Sequence, residues 1–264
     1  MSRILTAVVA VPLLLLVILG GPAWLFLALA LLFALAGYWE LSRLASKVGW
    51  SLFAVGYPLV ALSVTAFYPG FPGLQETTLA TLLVVGLAAV YTREPGRETL
   101  GAVAATVFAI LYTGALLGTV VGLRMAAGDR GRLWLIFLLA VVMVGDAGAY
   151  FVGRAFGRHP LAPVLSPKKT VEGLAGGVLF SVGTAILLGR MAVPELALTT
   201  SAGLGLSMAI LGVVGDLFES LLKRSAQIKD TSSLLPGHGG VLDRIDSLLF
   251  AAPFLFLYAK WAGH

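Results

Sequence analysis

Long stretches of this chain contain no charged residue, and this feature limits its fold more than any other. Residues 4–39 lack Asp, Glu, Lys and Arg, and seven further stretches are uncharged or carry a single charge. These stretches are residues 48–75, 77–92, 99–123, 133–153, 173–189, 196–215 and 247–259. A helix needs about 20 mostly apolar residues to cross a bilayer, so residues 4–39 are long enough for two. We therefore expect an all-α, polytopic integral membrane protein with about nine transmembrane helices.

The composition excludes several other classes. Hydrophobic residues make up 59% of the 264 residues and charged residues only 12%, against about 25% charged in an ordinary soluble domain. A water-facing globule could not hide so much apolar surface. The chain has no cysteine, which excludes disulfides, thiolate metal sites and a cysteine nucleophile.

The positive charge of the chain is unevenly distributed. With nine spans, 13 of the 18 Lys and Arg residues fall on the side of the N-terminus. The positive-inside rule then places the N-terminus in the cytoplasm, together with two loops at residues 154–170 and 223–246. Much of the net charge of +5 is explained by this topology, and we expect no nucleic-acid partner.

Three carboxylates interrupt the apolar stretches near their cytoplasmic ends. An acidic residue in hydrocarbon costs at least about 2.5–3.5 kcal/mol on insertion scales, so Asp146, Asp216 and Glu219 are functional candidates. Asp216, Glu219, Ser220 and Lys223 follow at i, i+3, i+4 and i+7, which places them on one helix face. For Glu219, a structural ion pair with Lys223 is an equally good interpretation.

The last cytoplasmic loop carries more charge. Asp243 and Asp246 share a face if the final helix begins near Val241. Carboxylates of this kind suit magnesium or manganese better than zinc. The glycines around His238 can present backbone N–H groups to an anion. Together with the neighbouring cations, this loop predicts a nucleotide-phosphate and metal site.

The earlier loop contains the segment Ser166-Pro167-Lys168-Lys169-Thr170. Thr170 is suited to cap the helix that follows, with Glu172 in its first turn. The two lysines then form a cationic platform at a helix N-terminus. Gly173, Gly176 and Gly177 are interpreted as helix-packing residues.

The residues from Ser220 to Asp246 form a specific pattern. It runs S-x-x-K-R, four residues, K-D, and later P-G-H-G-G, two residues, D-R-x-D. This segment resembles the signature of bacterial phosphatidate cytidylyltransferases, or CDP-diacylglycerol synthases. The segment GDAGAYFVGRAFGRHPLAPVLSPKKTVEG, which begins at Gly145, is similar to a second segment of that family.

The resemblance implies that CTP and phosphatidic acid react to give CDP-diacylglycerol and pyrophosphate in phospholipid biosynthesis. It implies a polar cavity open to the cytoplasm, in the bacterial cytoplasmic (inner) membrane. It also implies a requirement for Mg²⁺ in a two-metal centre, whose second ion is either Mg²⁺ or a monovalent cation such as K⁺. A homodimer would fit the glycine-rich helices.

The predicted site residues fall into three groups. The metal ligands are expected to be Asp146, Asp216, Asp243 and Asp246. The catalytic residues are expected to be Lys223, His238, Asp243, Arg244 and Asp246. The substrate-binding residues are expected to be Ser166, Lys168, Lys169, Ser220, Arg224, Lys229, Gly239 and Gly240.

We expect residues 1–125 to form a scaffold of about five helices, which would also make any dimer contacts. We expect residues 126–264 to form the catalytic region, with the cytoplasmic loops at 154–170 and 223–246. Two alternatives remain open: an ion-coupled secondary transporter, which also uses intramembrane carboxylates, and a CTP-dependent enzyme acting on another membrane lipid.

Overall fold

The computed structural model describes Pro12 and residues 15–126, 129–192, 196–234 and 239–262. Helices dominate this part of the chain, which confirms the all-α prediction. The helices are α1 (Ala23–Lys47), α2 (Gly56–Thr65), α3 (Leu74–Thr92), α4 (Arg97–Ile110), α5 (Leu116–Met125), α6 (Asp129–Phe156), α7 (Val171–Ala192), α8 (Leu198–Ser225) and α9 (Leu242–Trp261). A π-helical turn, Leu111–Ala115, joins α4 to α5. One antiparallel hairpin, β1 (Pro160–Ala162) and β2 (Ser166–Thr170), was not expected.

The count of nine spans is not confirmed. Within the described ranges, six helices are long and apolar enough to cross a membrane, with α4, the π turn and α5 counted as one. Residues 48–73 contain only the ten-residue helix α2, which is about half the length needed to span. The first predicted span lies largely outside the described residues. Because the distribution of basic residues depends on the count, the orientation stays a prediction.

The chain divides into two compact units. The first contains residues 1–125 and 225–244, and the second contains residues 126–224 and 245–264. In this division the loop after α8 groups with residues 1–125; the predicted scaffold and catalytic regions stay predictions. Helix α9 begins in the first unit and continues in the second.

The core of the first unit is built around α1, α2 and the segment from α4 to α5. The hydroxyl of Tyr38 on α1 donates to the carbonyl oxygen of Phe53 at 2.7 Å. The backbone N–H of Phe53 donates in turn to Thr106 Oγ1 at 3.1 Å. All three residues are buried, so each polar group finds a partner inside the unit, as burial requires.

Close packing of α6 against α7 organises the second unit. A Cβ atom built at Gly176 would lie 2.5 Å from Val152 Cβ, and one at Gly173 would lie 2.9 Å from the carbonyl oxygen of Ala149. At Gly177 the corresponding distance to Ala149 Cβ is 3.1 Å. These helices can approach this closely only without side chains, which confirms the packing role predicted for the three glycines.

Two glycines on α7 provide a matched test of this packing. Gly176→Ala places a methyl group against Val152, and overpacking of this kind costs typically 1–3 kcal/mol. Gly183→Ala meets open space and gains helix propensity of roughly 1 kcal/mol. In thermal unfolding of the purified protein in detergent, we expect the first variant to melt lower than the wild type and the second at the same or a higher temperature. Equal melting of both variants would contradict the packing role.

Candidate functional site

The hairpin in the second unit positions the lysine pair at the start of α7. Thr170 ends β2, and its Oγ1 accepts a hydrogen bond from the Gly173 N–H at 3.1 Å, so the predicted helix cap is confirmed. Glu172, in the first turn, accepts hydrogen bonds from the backbone N–H groups of Arg158 and His159. These contacts fix the hairpin on the helix and thereby fix the direction of β2.

The two adjacent lysines of β2 have different surroundings. The Nζ atom of Lys169 lies 2.5 Å from Asp216 Oδ2 on α8, and both side chains are only partly exposed. Lys168 is exposed. The structure therefore pairs one predicted substrate-binding lysine with one predicted metal ligand and leaves the other facing outward.

Asp216 has two further carboxylates as neighbours within the second unit. Asp146 on α6 and Asp246 on α9 interact electrostatically with Asp216 and with each other. Hard oxygen donors of this kind fit Mg²⁺, and Lys169 offsets part of their negative charge. Among the residues that the structure describes, however, no three His, Cys, Asp or Glu side chains converge closely enough to hold a metal ion.

The polar stripe predicted on α8 is present on a single helix. Lys223 Nζ donates to Glu219 Oε1 at 2.9 Å, and the Glu219 side chain is only 1% exposed. This confirms the interpretation of Glu219 as one half of an ion pair. Ser220 is buried beside it. Arg224, which follows Lys223, donates from Nε to the carbonyl oxygen of Leu165 at 3.4 Å. This hydrogen bond links the end of α8 to the hairpin.

A small groove lies between α6, α7 and α8. Its lining is mainly apolar, with Asp146 and Ser181 as its polar residues. Ser181 Oγ donates to the carbonyl oxygen of Val141 at 3.1 Å. The groove therefore places one carboxylate at the wall of an apolar space inside the second unit.

The loop after α8 and the start of α9 form the site of the first unit. Asp243 Oδ2 accepts hydrogen bonds from the backbone N–H groups of Thr231 at 3.2 Å and Gly240 at 2.9 Å, and Thr231 Oγ1 lies 2.9 Å from it. Helix α9 begins at Leu242, as predicted. Gly239 has a φ of +82°, a left-handed conformation that favours glycine.

This arrangement refines the predicted phosphate site. The N–H of Gly240 is used by Asp243 and does not point outward to an anion. The predicted catalytic residue His238 lies outside the described residues. Lys229 and Arg244 are exposed, as side chains that meet a soluble nucleotide must be.

Glu40 is not among the predicted site residues. This residue of α1 is fully buried, and its carboxylate accepts four hydrogen bonds from Thr231, Ser232, Val241 and Leu242. In the sequence, its charge marks only the end of an apolar stretch. A signal was available, because Gly37, Glu40 and Leu44 follow at i, i+3 and i+7 and all three are buried on α1.

Together, these features define a class of protein. The chain is a multi-pass membrane protein whose described ion pairs and carboxylates lie within its helices and in the loop and hairpin that flank them. Such a set of cations and hard oxygen donors suits a phosphorylated substrate and a divalent ion.

Comparison with known proteins places the chain within that class. A profile described as the cytidylyltransferase family matches residues 1–262. A phosphatidate cytidylyltransferase of Bacillus subtilis is 34% identical over 187 residues, which cover 70% of this chain and 68% of the relative. A phosphatidate cytidylyltransferase of Helicobacter pylori is 35% identical over 254 residues, covering 95% and 88%. The chain belongs to the cytidylyltransferase family and is a nucleotidyltransferase.

The Glu219–Lys223 pair leads to a stability prediction. Lys223→Met removes the lysine from a buried carboxylate, and breaking a buried pair from one side costs about 3–5 kcal/mol. We expect a clear fall in the melting temperature in detergent, and partial recovery in Glu219→Gln/Lys223→Met. The exposed Lys229→Met serves as the control and should melt like the wild type. If Lys223→Met matched that control, the pair would contribute nothing to stability.

Proposed function

We propose that this chain is a phosphatidate cytidylyltransferase, which converts CTP and phosphatidic acid to CDP-diacylglycerol and pyrophosphate. The observation that carries the proposal is the Lys169–Asp216 pair with Asp146 and Asp246 as its neighbours, in a chain of the cytidylyltransferase family. Both relatives described above bear the name of this activity. We extend the activity to this chain on these two grounds.

The chemistry needs little proton transfer. The second pKa of a phosphate monoester is about 6, so the phosphatidate oxygen is already anionic at pH 7. That oxygen attacks the α-phosphorus of CTP, a new P–O bond forms, and the bond to the β-phosphate breaks to release pyrophosphate. Since two highly charged anions must meet, catalysis depends mainly on charge neutralisation and alignment.

The basic residues neutralise the substrates in this proposal. Lys223, Arg224, Lys229 and Arg244 bind the phosphates that leave as pyrophosphate, with Ser220, Gly239 and Gly240 nearby in sequence. Ser166, Lys168 and Lys169 hold either phosphate partner, and His238 orients or donates to a phosphate. Arginine binds phosphate oxygens in a bidentate manner, whereas lysine supplies a compact charge.

The carboxylates hold the metal in this proposal. Asp146, Asp216 and Asp246 in the second unit, and Asp243 in the first, are the proposed ligands of Mg²⁺ and of a second ion, either Mg²⁺ or K⁺. When bound, such ions offset the charge of attacking and leaving oxygens. Lys169 keeps Asp216 in place and reduces its repulsion with Asp146 and Asp246.

The location follows from the lipid substrate. Removing the acyl chains of phosphatidic acid from the bilayer costs about 0.8 kcal/mol per CH₂, so the headgroup must react at the membrane surface. We propose the bacterial cytoplasmic membrane, with the N-terminus and the site on the cytoplasmic side, where CTP is available. We further propose a homodimer held by glycine-rich helix faces.

The first test is a direct assay. With Mg²⁺, CTP and phosphatidic acid, the purified protein in detergent should release pyrophosphate and form CDP-diacylglycerol in equal amounts. The control omits the lipid or replaces it with diacylglycerol, which lacks the attacking phosphate. Release that does not depend on phosphatidic acid would reject the proposal, and release only with a different lipid phosphate would favour an enzyme for that lipid.

The second test concerns Asp216. Asp216→Asn keeps the size of the side chain but removes its charge, so we expect pyrophosphate release to fall about 100-fold or more. The Mg²⁺ concentration for half-maximal rate should rise at least tenfold. Glu98→Gln, an exposed change at the start of α4, is the control. An unchanged Mg²⁺ requirement would remove Asp216 from the metal site.

A further inference from the structure

Glu40 binds the chain on both sides of residues 233–240. Its Oε1 atom accepts from Ser232 Oγ at 2.6 Å and from the Val241 N–H at 2.8 Å. Its Oε2 atom accepts from Thr231 Oγ1 at 3.0 Å and from the Leu242 N–H at 2.9 Å. Each carboxylate oxygen thus holds one donor that precedes the segment and one donor that follows it. We call these four donors and Glu40 the loop neck.

The chemistry of the loop neck requires a carboxylate. The N–H groups of Val241 and Leu242 open α9 and have no partner within that helix, so an anion there is favoured by both hydrogen bonding and the helix dipole. The amide nitrogen of a glutamine would face at least one of these N–H donors and lose that hydrogen bond. An aspartate is one methylene shorter, so its carboxylate would lie farther from these donors.

The loop neck contacts Asp243 through Thr231. The hydroxyl of Thr231 lies within hydrogen-bond distance of both Glu40 Oε2 and Asp243 Oδ2. The space is closely filled, because a Cβ atom at Gly240 would lie 1.8 Å from Thr231 Oγ1 and 2.6 Å from Glu40 Oε1. A shift of Glu40 would therefore move Thr231, and with it the hydrogen bonds that orient Asp243.

We propose that Glu40 is a positioning residue of the enzyme, which closes the loop neck and thereby orients Asp243 and the start of α9 for nucleotide binding. The inference rests on the proposed function. Glu40 is itself fully buried, so it acts through Thr231, Gly240 and Asp243 and does not meet the substrates.

The experiment compares Glu40→Gln and Ser232→Ala with the exposed control Glu98→Gln. For Glu40→Gln we expect the KM for CTP to rise at least tenfold and the KM for phosphatidic acid to stay within twofold. Ser232→Ala removes one donor of four and should give a smaller rise in the same direction. The double variant should be no worse than Glu40→Gln, because both changes act on one hydrogen-bond network.

Hydrogen exchange provides a readout that does not depend on activity. In Glu40→Gln, the amides of Val241 and Leu242 should exchange at least tenfold faster, while those of α6 and α7 stay unchanged. Unchanged exchange at α9 would overturn the loop neck. Faster exchange of the Val241 and Leu242 amides with an unchanged KM for CTP would show that Glu40 only stabilises the structure, and would overturn its positioning role. An inactive wild type would instead reject the proposed function. Hydrogen exchange of the Val241 and Leu242 amides would still test the loop neck in that case.

Discussion

Ionised side chains within apolar helices must find their partners inside the protein, because hydrocarbon offers neither hydrogen bonds nor screening. The structure meets this requirement in three ways. Lys223 pairs with Glu219 one turn away on α8. Lys169 on the hairpin pairs with Asp216. Glu40 accepts hydrogen bonds from four donors at residues 231–242. The second and third solutions each fix a polar segment to a helix, and these segments carry charged residues of the proposed site.

The sequence predicts a helix correctly where an uncharged stretch lies within one continuous helix of the structure. The stretches 77–92, 133–153 and 173–189 each lie within a single helix. Helix α8 runs beyond its uncharged stretch to Ser225 because Glu219 and Lys223 neutralise each other inside it. Residues 48–73 are also uncharged but contain only α2, with Gly49, Gly70 and Pro72 outside it. Hydropathy identifies segments that a bilayer can hold, but it does not show where a helix begins or ends.

Local features of the site were predictable, and distant contacts were not. The cap at Thr170, the start of α9 and the Glu219–Lys223 pair each involve residues that lie within a few positions of one another. The choice between Lys168 and Lys169 depends on the pairing of β1 with β2, which the sequence did not reveal. Glu40 remained hidden because its donors lie 191 to 202 positions away, beyond the reach of any pattern in a single sequence.

That separation also has a consequence for biosynthesis. Ribosomes add about 5–20 residues per second, so α1 is made roughly 10–40 seconds before the donors at residues 231–242. During this interval a nascent helix carries an acidic side chain whose final hydrogen-bond partners do not yet exist. The insertion machinery must therefore accept α1 while Glu40 lacks these partners. The first unit becomes complete only when nearly the whole chain has been translated.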